Sequence, residues 1–425
     1  MNLSDSHVVV VDLGFGDAGK GTIVDWLCAA GNHRTVVRFN GGAQAAHNVV
    51  TADGHHHTFA QFGAGTFTPG VRTHLSRYVL VDPLALAAEA DHLAELGVTD
   101  ALDRISVDAR ALLVTPWHRA ANQARERARG ARRHGSCGMG IGETARYALD
   151  HPDDAPTVDD CRHPDRLRHR LALLADRLGP VIGTDPALPD LSSAVAVFAD
   201  FARAVAVTDA HHLPRLLARE PVVFEGAQGV LLDEDRGFHP YTTWSTTTTR
   251  NALDLVDESG TDIPVTRLGV LRTYTTRHGP GPLVTDDPAL AAALPEPHNG
   301  TGQWQGAFRS GPFDAVAHRY ALAATGGVDA LALTHLDAAE RVALPVCRRY
   351  RLVDGAPWQP EPPVTPDPDR QARLTATLAT VTGDREPGPD RARDWPGFVT
   401  DELGTPVAVV SHGPTAADKR VIGAG

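Results

Sequence analysis

The chain has 425 residues, 42% of them apolar and 22% charged, which is enough for a substantial core in one large or two ordinary globular domains. Its formal charge of −12 excludes a general nucleic-acid binder, which needs a basic face for phosphate contacts, so phosphate recognition must be local. No basic segment leads into an apolar stretch at the start, and the most apolar later segment, Ser192 to Val207, is broken by Asp200 and Arg203. Together with four scattered cysteines, this gives the expectation of a cytoplasmic protein with no membrane span and no zinc site.

The first predicted element is a strand at Val8-Val9-Val10-Val11. It runs into Gly14-Phe15-Gly16-Asp17-Ala18-Gly19-Lys20-Gly21 and then a helix over Thr22 to Ala30. Strand, glycine loop and helix in this order suit a nucleotide phosphate: bare amides and the helix N-terminus surround the anion, and a compact ammonium reaches between β- and γ-oxygens. Lys20 is one of only two lysines among 40 basic residues. Gly21 stands where a magnesium-binding hydroxyl is usual, so Asp17 becomes the candidate metal ligand, because Mg²⁺ takes a carboxylate together with phosphate oxygens. The competing reading is a tight strand-to-helix turn with a solvated lysine.

Val36 to Phe39 reads as a second strand. The run His55-His56-His57 reads as ordinary strand rather than a metal site, because neighbouring side chains point to opposite faces. Asp82 and Pro83 supply a cap and first-turn proline for a helix with Leu86, Ala90 and Leu93 on one face, closed by Gly97. An arginine-dense stretch, Arg119 to Arg133, has no capping signal of its own and leads into the loop Gly135 to Gly142. Residues 150–217 read as a helical insertion. Strands return at Val222 to Phe224, Ala330 to Leu333 and Val407 to Val410, each ending in a polar or glycine loop where ligands of open α/β sheets gather. Six prolines between Pro357 and Pro368 mark 354–396 as a surface excursion. The fold expected is a single α/β domain over 1–425, with a mainly parallel central sheet flanked by helices.

Six ordered segments carry a resemblance. Gly16-Asp17 with Gly19-Lys20-Gly21, then Val37-Arg38 with Gly41-Gly42 and Ala45-Ala46-His47, then Phe224-Glu225-Gly226-Ala227-Gln228-Gly229 resemble the adenylosuccinate synthetases. So do Tyr274, Thr276-Arg277 and Gly281-Pro282, then Thr334-His335-Leu336-Asp337, and Ser411 with Gly413-Pro414. The resemblance implies a ligase that moves the γ-phosphoryl of GTP, or ATP, onto O6 of a 6-oxopurine nucleotide and lets the amine of aspartate or a related amino acid displace phosphate at C6. It implies Mg²⁺ held by Asp17 and Ala46, with Asp17 taking the proton from purine N1. His47 would donate toward the β–γ bridge and O6, and Gln228 would meet the N1/O6 edge through its amide. Gly16, Gly19, Lys20, Gly21 and Thr22 would hold the triphosphate, and His335, Asp337, Ser411, Gly413 and Pro414 its base. Ser136, Cys137, Gln228, Thr243, Arg277 and Arg309 would contact the acceptor and amine substrates. A homodimer is implied as well, with a partner-supplied arginine for which Arg146 is the candidate.

Each residue also has a plainer role open to it. Asp17 can cap the following helix, His47 can be a satisfied core histidine, Gln228 can stitch a loop to the sheet, and Cys137 can fill space beside Ser136. The departures from the family cluster around specificity. Where the family has an arginine-rich loop for the carboxylates of aspartate, this chain has Gly302 to Gly311 with Arg309 alone, leaving Arg277 and Arg250 as substitutes. Gly138 to Thr144 keeps the glycines of the monophosphate loop but not the residues that follow them. His335 replaces a lysine that lies along guanine, which keeps GTP and admits ATP. A divergent ligase is expected, similar to the 2-aminoadenylosuccinate synthetases that act on a guanine nucleotide, or to paralogues of nucleoside-analogue pathways. A P-loop switch or binding protein, and a catalytically silent paralogue, are the readings from other classes.

Overall fold

Successive valines of the first strand face opposite cores: Val8 and Val10 pack into one, Val9 and Val11 into the other. A strand apolar on both faces belongs in the middle of a covered parallel sheet, and that is its place in the computed structural model of the chain, which describes residues 3–31, 33–130, 133–294, 296, 299, 300, 302 and 304–423. The central sheet has ten strands: β1 (His7–Asp12), β2 (Thr35–Arg38), β3 (Arg72–Leu75), β4 (Ile105–Asp108), β5 (Ala206–Thr208), β6 (Val223–Gly229), β7 (Val265–Arg272), β8 (Ala330–Thr334), β9 (Val407–Ser411) and β10 (Lys419–Val421). They lie in the order β10-β9-β8-β7-β1-β6-β2-β3-β4-β5. All pairs are parallel except β9 with β10.

Strand order turns at β1, which has β7 on one side and β6 on the other, so the crevice beyond its carboxyl end is where such sheets take ligands. The glycine loop sits there, and α1 (Lys20–Ala30) begins immediately after it with Gly19 in the left-handed region at φ 92°. Between Val10 and Asp12 the β1–β6 register shifts, so Asp12 pairs with Gly229. That irregularity leaves Gln228 at φ 57°, a conformation that non-glycine residues adopt sparingly and mostly at functional turns.

The second helix, α2 (Pro83–Glu95), is capped as its sequence signals: the Asp82 carboxylate accepts from the amides of Leu84 and Ala85 at 3.1 Å each. The arginine-dense stretch lies in α3 (Pro116–Arg129) as far as Arg129, with residues 131 and 132 outside the described residues, and its start signal was upstream at Thr115. Thr115 and His118 form a capping box with Pro116 in the first turn. Helix α4 (Ile141–Asp150) follows the second glycine loop. Residues 150–217 contain α5 (Pro164–Ile182), α6 (Leu191–Ala204) and α7 (His212–Leu217), but also β5, which pairs in parallel with β4 as the sheet's last strand. Part of the stretch 354–396 also packs inward. Leu378, Val381 and Ala392 from 354–396 are buried in the core that holds Val9 and Val11.

Candidate active site

Glycines set the geometry around the loop by letting separate strands touch it. A Cβ at Gly16 would stand 3.3 Å from the backbone of Gln228, and one at Gly21 only 2.6 Å from Cβ of His47. The residue that looked like a missing metal hydroxyl is therefore also the contact that admits His47 against the first turn of α1. Lys20, His47 and Gln228 converge on one loop, and Asp17 lies within it with its side chain 22% exposed.

His47 begins a hairpin strand, His47–Val50, paired with His56–Phe59. Its Nδ1 lies 2.5 Å from Glu225 Oε1, while Glu225 Oε2 accepts from Ala64 N at 2.9 Å. Burial drives the His47 pKa down to about 4, more than the attraction of Glu225 restores, with Arg38 and Lys20 adding to the depression. Burial pushes the Glu225 carboxyl up, but Arg38 and His47 outweigh it and the net direction is down. The free protein therefore holds a neutral imidazole against an ionised carboxylate, which fixes the ring's proton on Nδ1 and leaves Nε2 bare.

Asp17 is held from two sides. Its carbonyl accepts from Arg272 Nε at 2.5 Å, and its carboxylate lies 3.6 Å from His278 Nδ1. Burial alone would lower the His278 pKa, but Asp17 overrides it and the ring's proton affinity is raised. Arg272 in turn bonds Tyr274 Oη at 2.9 Å and pairs with Glu296, whose carboxyl it keeps down near 2 against the effect of burial.

The Gln228 Oε1 is buried with no hydrogen-bond partner among the described residues, as are both amide atoms of Gln44. Buried unpartnered amides facing a glycine turn are acceptors and donors waiting for a ligand. A Cβ at Gly41 would lie 3.5 Å from Gln228 Oε1 and 3.6 Å from Gln44 Nε2, so both amides border that turn.

On the other flank, Thr22 Oγ1 donates to Pro414 O at 2.9 Å, tying α1 to the loop after β9. Ser411 Oγ donates to Gly413 O at 3.0 Å, and the buried Lys419 ammonium donates to Gly413 O at 2.9 Å and Thr415 O at 2.8 Å. His335 sits at φ 59° with its ring edge-on to Tyr274, its pKa held well below 6.5 by burial and by Arg272. Asp337 pairs with Arg341 at 3.1 Å.

The residues expected on the acceptor side have partners of their own. Ser136 Oγ accepts from Asn122 Nδ2 at 3.0 Å, Cys137 has its thiol pKa raised by burial, and Thr243 N donates to Leu232 O at 2.8 Å. Ala46 is exposed beside His47.

The model of the family described as adenylosuccinate synthetase matches residues 9–419. The chain belongs to the adenylosuccinate synthetase family. The adenylosuccinate synthetase of a Marinomonas strain is 33% identical over 98% of both chains, and that of Mycobacterium leprae is 33% identical over 96% of each. Among solved structures, the fully ligated adenylosuccinate synthetase of Plasmodium falciparum superposes with a TM-score of 0.82 at 19% identity, covering 98% of this chain and all of that one. The succinoaminodeoxyadenylate synthetase of cyanophage S-2L, solved with dGMP and dATP, gives 0.62 at 17% identity and covers 98% and 95%. The fold is thus that of the adenylosuccinate synthetases, and the curated relatives are C–N ligases by name. Among the described residues no helix is long and apolar enough to cross a membrane, and no cluster of histidine, cysteine and acidic side chains could hold a metal.

Within this synthetase fold the arginines offered as carboxylate grips each already hold a protein partner. Arg277 is buried, donating to Pro280 O at 3.0 Å and Pro282 O at 2.9 Å over the Phe15 ring, and burial with nearby Arg309 lowers it to about 9. Arg309 donates to Gly279 O, Gly281 O and Asp286. Arg250 bonds Thr246 and Asp235, and Arg146 bonds Glu143. Gln303 lies outside the described residues, while the neighbouring Trp304 ring packs on Gly138 with Arg127 and Arg133 over it.

Sequence reasoning missed five residues: Asp12, Gln44, Glu225, Arg272 and Lys419. Two left a trace. Glu225 is a carboxylate inside an apolar parallel strand, and Lys419 is the second of the chain's two lysines.

Proposed function

We propose that the chain is a purine nucleotide ligase that activates the 6-oxo group of its acceptor with a nucleoside triphosphate and then joins an amino acid at C6. What supports this most is the placement of Lys20, His47 and Gln228 around the loop that carries Asp17. A triphosphate on the N-terminus of α1 and a purine edge at Gln228 would share that space.

In this reading the Asp17 carboxylate takes the N1 proton and so makes O6 nucleophilic toward the γ-phosphoryl. Gln228 Oε1, unpartnered among the described residues, offers the base edge an acceptor, and the Gln44 amide borders the same turn. The negative charge of bound phosphates would favour a proton on Nε2 of His47, and the ring, steered by Glu225 at Nδ1, would then donate toward the charge that develops between phosphate and O6. Asp17 and the main-chain oxygen of exposed Ala46 are oxygen donors of the kind Mg²⁺ takes, and the ion would neutralise charge on the transferring phosphoryl group. The loop after β9, with His335 and Asp337, would receive the purine of GTP or ATP. The amine would be aspartate or a related amino acid, with the chain acting as a homodimer in the cytoplasm.

The test combines GTP or ATP, Mg²⁺, each 6-oxopurine monophosphate and a panel of amino acids, and reads product mass. An adduct carrying the amino acid at C6 is expected. Phosphate released at the same rate with no purine present would refute the ligase reading and favour a nucleotide switch.

A further inference from the structure

Asp12 ends β1 and is buried beneath the glycine loop. Its Oδ1 accepts from Gly14 N at 2.8 Å and Gly16 N at 3.2 Å, and its Oδ2 from Ala18 N at 2.7 Å and the Lys20 ammonium at 3.2 Å. Main-chain amides converging in a glycine loop form an anion-binding concavity. Here the anion is the chain's own carboxylate. The Lys20 side chain has 0% exposure, and its ammonium also donates to Gly16 O at 2.9 Å. Neither that ammonium nor those three amides is presented to a ligand arriving from solvent.

The loop itself is pinned. Gly14 O accepts from Leu231 N at 3.1 Å and Ala18 O from Thr334 Oγ1 at 2.7 Å, and a Cβ at Gly229 would stand 2.1 Å from Gly14 O. With the backbone held by neighbouring strands, the part free to change is the lysine stem, a flexible four-carbon arm bearing a point charge.

We infer that Asp12 is a positioning residue of the phosphate site: it fills the loop's anion concavity and holds Lys20 in the unliganded protein, and an incoming triphosphate takes the ammonium from it while the three amides stay on Asp12. The inference rests on the reading of this loop as a triphosphate site. It follows that the phosphates are met by the Lys20 ammonium and the first amides of α1 rather than by the amides of Gly14, Gly16 and Ala18.

Because Lys20 and Lys419 are the only lysines, full-length protein labelled with nitrogen-15 lysine gives two side-chain ammonium signals, and K419R assigns them by deletion. The probes are Mg²⁺ with a non-hydrolysable GTP analogue and, in a second arm, the ATP analogue. In the wild type the Lys20 signal should be protected from solvent exchange before ligand and shift at saturation. Asp12→Asn should lose that protection without ligand and bind the magnesium–analogue complex about tenfold more tightly. A wild-type signal unmoved at saturation, binding of neither analogue, or an Asp12→Asn protein that melts normally and binds no more tightly would overturn the inference. If Asp12→Asn does not fold, the wild-type titration decides alone. Failure of the ligase reading looks different: the Lys20 signal responds, yet no acceptor yields an adduct.

Discussion

Replacing Glu225 with glutamine keeps the shape of the side chain and removes one charge from a buried set of three groups. Glu225 Oε1 meets His47 Nδ1 at 2.5 Å, and Arg38 is the strongest opposing charge that holds its carboxyl down. Arg38 is itself buried and donates to Ala60 O at 3.0 Å and Phe62 O at 3.1 Å, neutral acceptors that cannot replace a counter-charge. Stripping one member from a buried pair typically costs about 3–5 kcal/mol, so Glu225→Gln should lower the unfolding free energy by roughly that amount. The imidazole loses a charged hydrogen bond worth about 1.5–3 kcal/mol, and if that orientation is needed only in the transition state, turnover falls about tenfold to a hundredfold. Urea unfolding and steady-state kinetics measure the two effects separately. Adding Arg38→Met removes the orphaned cation, so the double variant should regain stability without regaining rate. A Glu225→Gln protein with wild-type midpoint and rate, or a double variant that loses the sum of both single losses, would refute the reasoning.

Gly21→Ala places a Cβ 2.6 Å from that of His47 and 3.2 Å from its Cα, so His47 must shift; turnover should drop on the order of a hundredfold and overpacking should cost about 1–3 kcal/mol of stability, and an unchanged rate would count against a role for His47 beside the loop. Asp17→Asn should abolish product formation while triphosphate affinity, read by calorimetry, stays within about tenfold, or roughly 1.4 kcal/mol. Lys419→Met takes one of two donors from each of the Gly413 and Thr415 carbonyls, which keep Ser411 Oγ and Asp418 N, so KM for the triphosphate should rise severalfold with kcat held; a change in kcat alone would contradict its place under the base loop. Asp314 is pushed up to about 6 by burial, against bonds from Tyr350 and the Ala317 amide. Its native state therefore holds a proton that the unfolded chain releases near its ordinary value of about 3.9, and the stability gained in acid is lost as pH rises through about 6. Asp314→Asn should flatten that part of the melting profile, and a parallel profile for wild type and variant would count against it.

Much of this fold could be read from residue pattern because its elements carry local signals. Four consecutive valines, the Asp82-Pro83 cap and the glycine loop each depend on a few adjacent residues. The start of α3 needed only a look upstream of its arginines. β5 was hidden because Ala206 to Thr208 is short and follows a long helical segment; only pairing with β4, about a hundred residues earlier, makes it a strand. The site divides the same way. Asp17, Lys20, His47 and Gln228 stand in recognisable spacing, whereas Asp12 and Glu225 act through partners that folding supplies. The arginines expected to receive carboxylates show the limit of composition: it gives Arg277 and Arg309 but not that Arg277 Nε and Nη1 and Arg309 Nη2 already bond backbone carbonyls between residues 279 and 282.

The central position of β1 bears on the order in which the protein can be made. Its sheet neighbours pair through Val8 with Val223 and His7 with Val265, so a ribosome must add roughly two hundred further residues before the first strand has either companion. Until then the glycine turn has no floor, and Thr22 waits longer still for Pro414, 392 residues away. A nascent chain should therefore be unable to trap nucleotide early, and its emerging first half, with an unpaired valine strand, is the stretch in most need of a chaperone.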